Sequence, residues 1–592
     1  MKSSWRTGVV IFVPVAICFL YFRYIVPYHI CLKEQIQLFV FSSSYVFSYF
    51  SKPAAIACLG GDFLTQFFYF KTGGAVVVTL LLATEWWLIF LILKRFFVET
   101  WRAASLPAHT HIETLRAASL LPVMAEWIAW PHHSFSAALS VSFIIALTAF
   151  LVYVKANGKT AITAGVLLIP ALYAIAGASV FLFLFLVVLY DFHCGKKRFI
   201  YRTLILCLSI ATPVLFRHSY LLTLRQAYFY PFINVQQGLS LMILLAVILG
   251  GSIINVFQQR GVCWVKRRIP RWLPPLAAWL CAGLFLAAGL VKTTDPKQEN
   301  LFGIVIEAYH ENWDKIIEIA ERTDLKNPIT TNYINLALSH KDLLGERLMD
   351  FYQHFSTGLL LPAVPSSDWL TLFSGNDAYY HIGDMDIAQH AAMVGMIALP
   401  RQRSARLAER LAEINMALDD LPAATKYIRI LESTLFHRTT SKTSNSAHRK
   451  AVVFREDVIR KAVDIKSSLE LLVESDPDNL PAVNYLLCLY LLHKDIPAFF
   501  KAYTSYCKGK YRPVPKVYAE ALLVYFAGMK STMREVNEYG IHPDMIKAFG
   551  DYTRMYEASD GNLTPMQKNF PNTYWLYFHF AVMNNEQLKM NN

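Results

Sequence analysis

The sequence predicts an all-α protein in which a polytopic bundle of transmembrane helices is followed by an extracytoplasmic α-solenoid. Residues 1–292 contain 24 Lys and Arg, only 7 Asp and Glu, and several apolar runs long enough to cross a bilayer. Residues 293–592 contain 32 Lys and Arg against 36 Asp and Glu, with no comparable run. Apolar residues in this second half recur every three or four positions, which is the period of an amphipathic helix. We therefore expect two domains that meet near residue 292.

Seven segments of the first half are predicted to span the membrane, because a helix needs roughly 20 mostly apolar residues to cross the hydrocarbon core. They are residues 8–27, 73–93, 134–154, 161–190, 203–222, 238–257 and 273–291. The 161–190 segment contains Pro170 and Gly177 and is long for one straight span, so we expect it to be kinked, tilted or split in two. The stretch 115–130 carries Glu126 and could be re-entrant or interfacial. If both stretches supply a further span, the count becomes nine with the same parity.

The loop charges predict how these spans are oriented. With the N-terminus inside, the cytoplasmic segments carry 15 Lys and Arg, whereas the short outside segments carry 8. Lys and Arg are retained preferentially on the cytoplasmic side. An odd number of spans then leaves the N-terminus in the cytoplasm and the second half outside it. The basic residues lie beside apolar segments and form no stripe on the second half, so the pI of 9.1 does not indicate a nucleic-acid partner.

The first outside loop, residues 28–72, is aromatic rather than hydrophilic, yet charged residues interrupt it. It is too polar to span the bilayer and too apolar to extend freely into water, so we expect amphipathic helices on the membrane surface. Glu34 and Asp62 would then be carboxylates at the outer boundary of the membrane, and they are the candidate catalytic residues. The alternative is that they cap helices or form ion pairs with Lys33, Lys52 or Lys71.

Glu85 differs from these two acids because it lies inside the second predicted span. Acidic side chains within a membrane are rare and usually face a cavity or a partner. Extension of the Glu85 side chain toward Lys94 or Arg95 at the cytoplasmic surface is the alternative.

The histidine and cysteine patterns predict no metal centre. Two pairs of nearby histidines in predicted cytoplasmic loops supply at most two ligands each, whereas structural zinc takes four. No phosphate-binding, dinucleotide-binding or hydrolase motif is present, and we expect no cofactor. Nothing in the cysteine spacing requires a disulfide, although two pairs could form in an oxidising compartment. These pairs are Cys31 with Cys58 and Cys488 with Cys507.

The second half contains internal similarity with the period of a helical repeat. Residues 379–388 (YYHIGDMDIA) match the turn between the two helices of a tetratricopeptide unit. Residues 417–424 repeat that pattern 36 positions later, with Asp419 in place of Gly383. A period of about 34–36 residues is expected of this class, whose stacked helix pairs form a concave face that holds a peptide or protein. We therefore expect a tetratricopeptide-like domain with such a partner; an irregular helical domain is the alternative.

Residues 33–39 (KEQIQLF) and 62–69 (DFLTQFFY) resemble the start of an uncharacterised family of bacterial polytopic membrane proteins. Members are similar in layout, with an aromatic first outside loop, several spans and a helical-repeat tail containing an Asn-Pro-x-x-x-Asn-Tyr element. Here that element runs from Asn327 to Tyr333. The resemblance implies a multi-pass protein of the bacterial inner membrane. It implies nothing about chemistry, because the family has no assigned activity.

A looser similarity is to the membrane glycosyltransferases that use lipid-linked sugars, whose catalytic acid lies in the first outside loop. It implies Glu34 or Asp62 as the base and Arg217 or Arg225 as the group that holds phosphate. The sequence lacks the paired acidic motif that many of those enzymes carry.

Two functions follow from these observations. The first is a membrane protein that presents a helical-repeat interaction domain outside the cytoplasm, in cell-envelope assembly or transport. The second is a glycosyltransferase that uses a polyprenyl-linked sugar donor, with its active site at the outer membrane boundary. The bilayer is a partner in both cases.

Overall fold

The computed structural model confirms the all-α prediction, because every regular element in the described part of the chain is helical. It describes residues 2–101, 108–132, 135–156, 158–193, 199–231, 243–244, 246–247, 273–399, 402–438, 451–452, 464–511 and 513–581. The chain forms two compact units. Unit 1 comprises Met1–Glu299 together with Ser433–Phe436, and unit 2 comprises Asn300–Glu432 and His437–Asn592.

Unit 1 contains helices of very different length, numbered here in chain order. They are α1 (Lys2–Leu20), α2 (Pro27–Gln35), α3 (Ser43–Ser48), α4 (Ala55–Thr65), α5 (Lys71–Trp101), α6 (Ala108–Ala129), α7 (Ala137–Lys155), α8 (Gly158–Ala176), α9 (Val180–His193), α10 (Phe199–Phe216), α11 (Leu224–Phe229) and α12 (Leu273–Thr293). The helix that follows, α13 (Pro296–Tyr309), begins in unit 1 and continues into unit 2.

Four described segments are long and apolar enough to cross a membrane: Lys71–Phe96, Ala137–Lys155, Gly165–Asp191 and Leu273–Thr293. A fifth results if the bent pair Val10–Ile25 and Pro27–Gln35, which meet at 71°, is one span. These helices indicate a membrane protein. Predicted segment 203–222 contains the shorter apolar helix Thr203–Phe216, and segment 238–257 lies largely outside the described residues. The count of seven spans therefore stays a prediction.

The long segment 161–190 is interrupted near its middle, at one of the two residues that suggested a break. Helix α8 ends at Ala176, a short 3-10 turn covers Gly177–Ser179, and α9 begins at Val180. Gly177 has a φ of +64°, and an added Cβ there would lie 2.4 Å from the carbonyl oxygen of Tyr230. The break is thus fixed by a left-handed residue that has no room for a side chain.

The core of unit 1 is apolar and rich in aromatic residues. Helix α5 packs against α1, α2, α6 and α7, and α6 also packs along α12. The indole rings of Trp127 and Trp130 are almost fully buried in this core. The segment Ser433–Phe436 joins the unit from far along the chain. The Phe41 amide donates to the Ser433 carbonyl at 2.7 Å, and the Phe436 ring stacks on Tyr69 with centroids 5.8 Å apart.

The described part of unit 2 consists of α13 from Asn300 onward and a succession of helices of 4 to 16 residues. They are α14 (Trp313–Arg322), α15 (Pro328–His340), α16 (Leu344–Arg347), α17 (Trp369–Ile382), α18 (Met385–Ala398), α19 (Ala405–Ala417), α20 (Leu421–Glu432), α21 (Ile465–Ser475), α22 (Leu480–Leu492), α23 (Ile496–Tyr506), α24 (Lys516–Met529), α25 (Met533–Asn537), α26 (Pro543–Ala558), α27 (Leu563–Asn569) and α28 (Tyr574–Phe580). Consecutive helices pack on one another, including α17 with α18, α19 with α20 and α22 with α23.

Several helices of unit 2 end in the same turn. A residue with positive φ follows the helix, and the next amide donates to the carbonyl five positions earlier at 2.8–3.0 Å. This bond is the outer hydrogen bond of the Schellman motif. The positive-φ residues are Glu311, Asp342, Gly383, Asp419, Lys494 and Lys530.

In three of these turns an aspartate then caps the next helix. Asp384, Asp420 and Asp495 each accept a hydrogen bond from the amide three positions later, at 3.1–3.2 Å. A side-chain cap of this kind satisfies an amide that the first turn of a helix leaves without a partner. The two turns that the sequence predicted around Gly383 and Asp419 therefore share both their helix stop and their helix start.

Candidate functional site

The predicted surface loop 28–72 is folded, and both candidate acids lie inside it. It contains α2, α3 and α4 together with two 3-10 turns, Tyr49–Ser51 and Gln66–Tyr69. Glu34, near the end of α2, and Asp62, in α4, are each only 6% exposed. Neither acid is therefore a solvated surface group.

Gln37 brings the two acidic positions together. Its backbone amide donates to the Glu34 carbonyl at 3.1 Å, and its side-chain Nε2 donates to the Asp62 carbonyl, also at 3.1 Å. One glutamine thus ties the end of α2 to the middle of α4. Gln37 lies within the segment 33–39 that carries the family resemblance, but nothing in that segment shows that its side chain reaches Asp62.

A chain of two phenols leads to the Asp62 carboxylate. Tyr49 donates its hydroxyl to Asp62 Oδ2 at 2.7 Å, and the Tyr45 hydroxyl oxygen lies 2.8 Å from that of Tyr49. Burial, and then the nearby Asp62 carboxylate, raise the pKa of Tyr49 well above its usual value. The phenol therefore keeps its proton and serves as a donor, which orients the Asp62 side chain.

Close packing of α4 fixes the position of Asp62. A Cβ added to Gly61 would lie 2.2 Å from the backbone nitrogen of Ala138 in α7. Only glycine permits this approach, since any side chain would push the two helices apart. Asp62 follows directly, so its backbone is held against a long apolar helix.

Lys33 is not the counter-ion of either acid, although ion pairing with it was one alternative. Its ammonium donates to three backbone carbonyls, those of Trp130, His132 and Phe135, at 2.7–2.9 Å. An ammonium group has three donors, so this set is complete. Lys33 is 6% exposed and ties α2 to the link between α6 and α7.

The two candidate phosphate-binding arginines lie near the short helix α11. Arg217 is half-buried just after α10, and Arg225 is exposed in α11. The structure shows no ion pair between either guanidinium and a described carboxylate. The Cys58 thiol, one turn before Asp62 in α4, lies 3.9 Å from the Tyr230 hydroxyl just beyond α11. The roles of all four candidate site residues stay predictions.

Glu85 lies beside another acidic residue, Glu126, which the sequence did not identify as its neighbour. It is 2% exposed and lies within hydrogen-bonding reach of Glu126, which is 3% exposed in α6. Lys94 and Arg95, the groups toward which it could have extended, are exposed on α5. The contact depends on how α5 and α6 pack, so no spacing in the sequence could have revealed it.

A buried ionic network lies in unit 2. Asp377 in α17 accepts hydrogen bonds from Arg406 and, at 3.1 Å, from Arg410, both in α19. Burial alone would raise the pKa of Asp377, but the two guanidinium groups more than offset it and hold that pKa below its usual value. Asp377 is therefore ionised, and it neutralises part of a charge that would otherwise be costly to bury.

The same network reaches the helices on either side. Arg406 donates to the Tyr333 hydroxyl of α15 at 3.0 Å and to the Val305 carbonyl of α13 at 3.1 Å. Arg410 donates to Glu413 at 2.8 Å, and its guanidinium lies 3.9 Å above the Tyr380 ring. These contacts join four helices. The available sequence signal was an Arg pair at i, i+4 spacing on a helix that otherwise buries apolar residues.

The described residues include no group of three or more His, Cys, Asp and Glu side chains that could hold a metal ion. None of the four cysteines considered for disulfides is in a disulfide bond in the described part of the chain: Cys31, Cys58, Cys488 and Cys507. Burial raises the pKa of Cys488 to about 12, so this thiol is an unreactive apolar group in the core of unit 2.

Comparison with known proteins identifies a family without assigning an activity. No curated protein and no solved structure matches the chain. A family model does match, over residues 2–581, and therefore includes both units, the folded loop and the ionic network. The chain belongs to DUF6057, a family of unknown function.

Proposed function

We propose that this protein is a bacterial inner-membrane protein that presents a tetratricopeptide-like interaction domain outside the cytoplasm, in cell-envelope assembly or transport. The observation that carries the proposal is the recurring turn of unit 2. The same helix stop and aspartate cap occur at Gly383 and Asp384, and again 36 residues later at Asp419 and Asp420. A fixed turn at a fixed spacing is typical of helical repeats, whose function is to bind a protein or peptide.

The ionic network is consistent with this role. A binding surface built from several helices works only if those helices keep their spacing when the partner arrives. Asp377, Arg406 and Arg410 join alternate helices through charge-assisted hydrogen bonds, which are stronger and more directional than neutral ones. The charges of the network pair with one another and are buried. We therefore propose that the network holds the helices in place and does not itself contact the partner.

The test uses the full chain in intact cells. Met393 and Ile397 are exposed apolar residues one turn apart on α18, with fractional exposures of 45% and 71%. A photo-crosslinking amino acid at Ile397 should capture one specific protein, and the same amino acid at the exposed Lys568 of α27 should not. The captured protein, once purified, should bind the purified chain and should bind Ile397→Asp more weakly. Equal capture from both positions, or equal affinity for the variant, would contradict the proposal.

A second function has one specific observation in its favour. Glu34 and Asp62 are buried around a shared glutamine, and a phenol chain orients the Asp62 carboxylate. In a glycosyltransferase reaction, Asp62 would take the proton of an acceptor hydroxyl while that oxygen bonds to the anomeric carbon. The polyprenyl phosphate would leave with the electron pair of the broken bond, and Arg217 or Arg225 would hold its charge.

Isosteric variants test this alternative. Asp62→Asn and Glu34→Gln remove a carboxylate without changing shape, and Asp420→Asn is the matched control because it keeps its helix cap. Membranes containing the protein would be given polyprenyl-phosphate sugars, and released polyprenyl phosphate would be measured. The glycosyltransferase predicts release by the parent and by Asp420→Asn, and loss of release in one or both of the other variants. Full release in all three would exclude these acids as the base.

A further inference from the structure

Glu85 and Glu126 form a pair of carboxyl groups inside the helical core of unit 1. Glu85 lies within the candidate span Lys71–Phe96, and Glu126 lies on the neighbouring helix α6. Both side chains are at least 97% buried and lie in contact. Oxygen Oε1 of Glu85 and Oε2 of Glu126 each have no hydrogen-bond partner among the described residues. Buried polar atoms without a hydrogen-bond partner are rare in folded proteins, so each of them calls for a physical explanation.

No described cation neutralises this pair from the helices that pack on it. Helix α7 contributes the Ser140 hydroxyl, which donates to Glu126 Oε1, and its only charged residue is Lys155 at its end. Helix α12, which packs along α6, has no charged residue before Lys292. Helix α1 carries its charges, Lys2 and Arg6, only at its beginning.

The described basic side chains of α2 and α6 have partners elsewhere. Lys33 uses all three of its donors on backbone carbonyls. His29 pairs with Glu299, and Arg116 pairs with Glu113 on its own helix. The basic groups of α5 near its ends are Lys71, Lys94 and Arg95, all outside the middle of the helix where Glu85 lies.

Two ionised carboxylates cannot occupy this position together. Each would lose its hydration without a counter-charge, and the two would repel each other at contact distance. Carboxyl groups in contact commonly solve this by sharing one proton, which converts repulsion into a hydrogen bond. The two unpartnered oxygens, Oε1 of Glu85 and Oε2 of Glu126, are the atoms available to bind such a proton.

We propose that Glu85 and Glu126 are an intramembrane binding site for an exchangeable proton, held between the two carboxyl groups. A metal cation fits less well. The described residues offer it only the two carboxyl groups and Ser140 Oγ, whereas hard cations take about six oxygen ligands. Intramembrane acids of this kind mark proton pathways in pumps and transporters. The site is independent of the interaction surface and of the candidate acids at the outer boundary.

Infrared spectroscopy on the full chain in lipid vesicles tests the proposal. A protonated carboxyl group in an apolar site has a C=O stretching band separate from that of a carboxylate. Glu520 of unit 2 is another buried carboxyl group with a raised pKa, so it is replaced by Gln in every chain compared. The chain that keeps both Glu85 and Glu126 should still show such a band, and the band should decrease as pH is raised. The band should shift in Glu85→Gln and in Glu126→Gln, which are isosteric. Glu113→Gln is the matched control, because Glu113 is paired with Arg116, and this variant should leave the band unchanged.

A second measurement covers the case in which the variants fail to fold. Dicyclohexylcarbodiimide, an apolar reagent that modifies protonated carboxyl groups, should label Glu85 or Glu126 in the parent chain and not Glu113. Replacing choline chloride by sodium chloride at constant pH should leave both readouts unchanged. A parent without the band and without the label would overturn the proposal. Loss of band and label on addition of sodium would also overturn it, since a metal cation would then be the ligand.

Discussion

At the scale of single residues, Lys33 shows how a buried amino group can be held by backbone carbonyls instead of a carboxylate. Its three donors meet the carbonyls of Trp130, His132 and Phe135, which belong to the connection between α6 and α7. Such charge-assisted hydrogen bonds are stronger than neutral ones. Lys33 therefore stabilises the link between two helices distant from its own in sequence.

Lys33→Met should destabilise the protein strongly, because it leaves three buried carbonyl groups without donors. Each unsatisfied buried group costs about 1–3 kcal/mol. We expect a clear fall in the thermal unfolding midpoint in lipid or detergent. Lys52→Met is the matched control, since Lys52 belongs to the same loop and is exposed. Equal midpoints for the two variants would contradict the role given to Lys33.

Glu520 in α24 is a second buried ionisable residue, and its effect on stability depends on pH. It is 1% exposed, and its Oε2 accepts from the Tyr574 amide at 2.5 Å, at the start of α28. Burial raises the pKa of Glu520 to about 7, against the lowering effect of that amide. Because the folded pKa lies above the unfolded one, the folded state binds this proton more tightly. Stability from this group is then complete below about pH 4.5 and is lost as pH rises toward 7.

Glu520→Gln should remove that pH dependence. The parent should lose up to about 3 kcal/mol of stability from this group between pH 4.5 and 8, at about 1.4 kcal/mol per pKa unit. The variant should match the parent at pH 5 and exceed it at pH 8, as measured by thermal unfolding at both pH values. Glu538→Gln, at an exposed position, should follow the parent at both. A variant less stable than the parent at pH 8 would disprove this account.

The candidate acids show the limit of prediction at this scale. The sequence indicated Glu34 and Asp62 because acids are unusual in an aromatic loop. It could not predict that Gln37 joins their backbones or that Tyr49 donates to Asp62, since these contacts depend on how α2, α3 and α4 fold together. The pair Glu85 and Glu126 was missed for the same reason, because it joins residues 41 positions apart.

At the scale of elements, the helix turns of unit 2 were the most predictable feature. The turn expected in 379–388 separates α17 from α18 at Gly383. Local chemistry determines these features: a left-handed residue stops one helix, and an aspartate starts the next. The packing of alternate helices through Asp377 and Arg406 is not local, and the i, i+4 spacing of Arg406 and Arg410 does not identify the aspartate that they bind.

The two related turns offer a reciprocal test. Gly383→Ala places a side chain at a φ of +92°, where L-residues lose about 1–2 kcal/mol. Asp419 already carries that penalty at a φ of +60°, so Asp419→Gly should relieve part of it. Unfolding of the full chain in denaturant should show Gly383→Ala less stable than the parent and Asp419→Gly as stable or more so. The opposite order would mean that the turns are not equivalent.

At the scale of the whole molecule, amino-acid composition predicted a membrane protein, and the apolar helices agree with it. The number of spans was less predictable. Helix α6 shows why: at 22 residues it is long enough to cross a bilayer, yet it carries Glu113, Arg116 and Glu126 and packs between other helices. Length and hydropathy describe a helix facing lipid, whereas a helix surrounded by protein can retain polar residues.

The loop charges lead to a prediction about orientation. Alkaline phosphatase fused after Asn592 should be active, because the enzyme folds only outside the cytoplasm. Green fluorescent protein fused at the same position should be dark, because it does not become fluorescent after export through the general secretion pathway. The same reporters inserted after Lys197, in a predicted cytoplasmic loop, should give the opposite pair of results. Fluorescent and phosphatase-inactive fusions at both positions would place the second half in the cytoplasm and contradict the prediction.

The segment Ser433–Phe436 has a consequence for how the protein can be divided. A polypeptide that stops near Glu299 contains every described helix that is long and apolar enough to cross a membrane. It lacks the carbonyl that accepts from the Phe41 amide and the ring that stacks on Tyr69. Supplying the rest of the chain as a separate polypeptide should restore the fold by complementation. The membrane unit is therefore complete only after the ribosome has made more than a hundred residues beyond its last long helix.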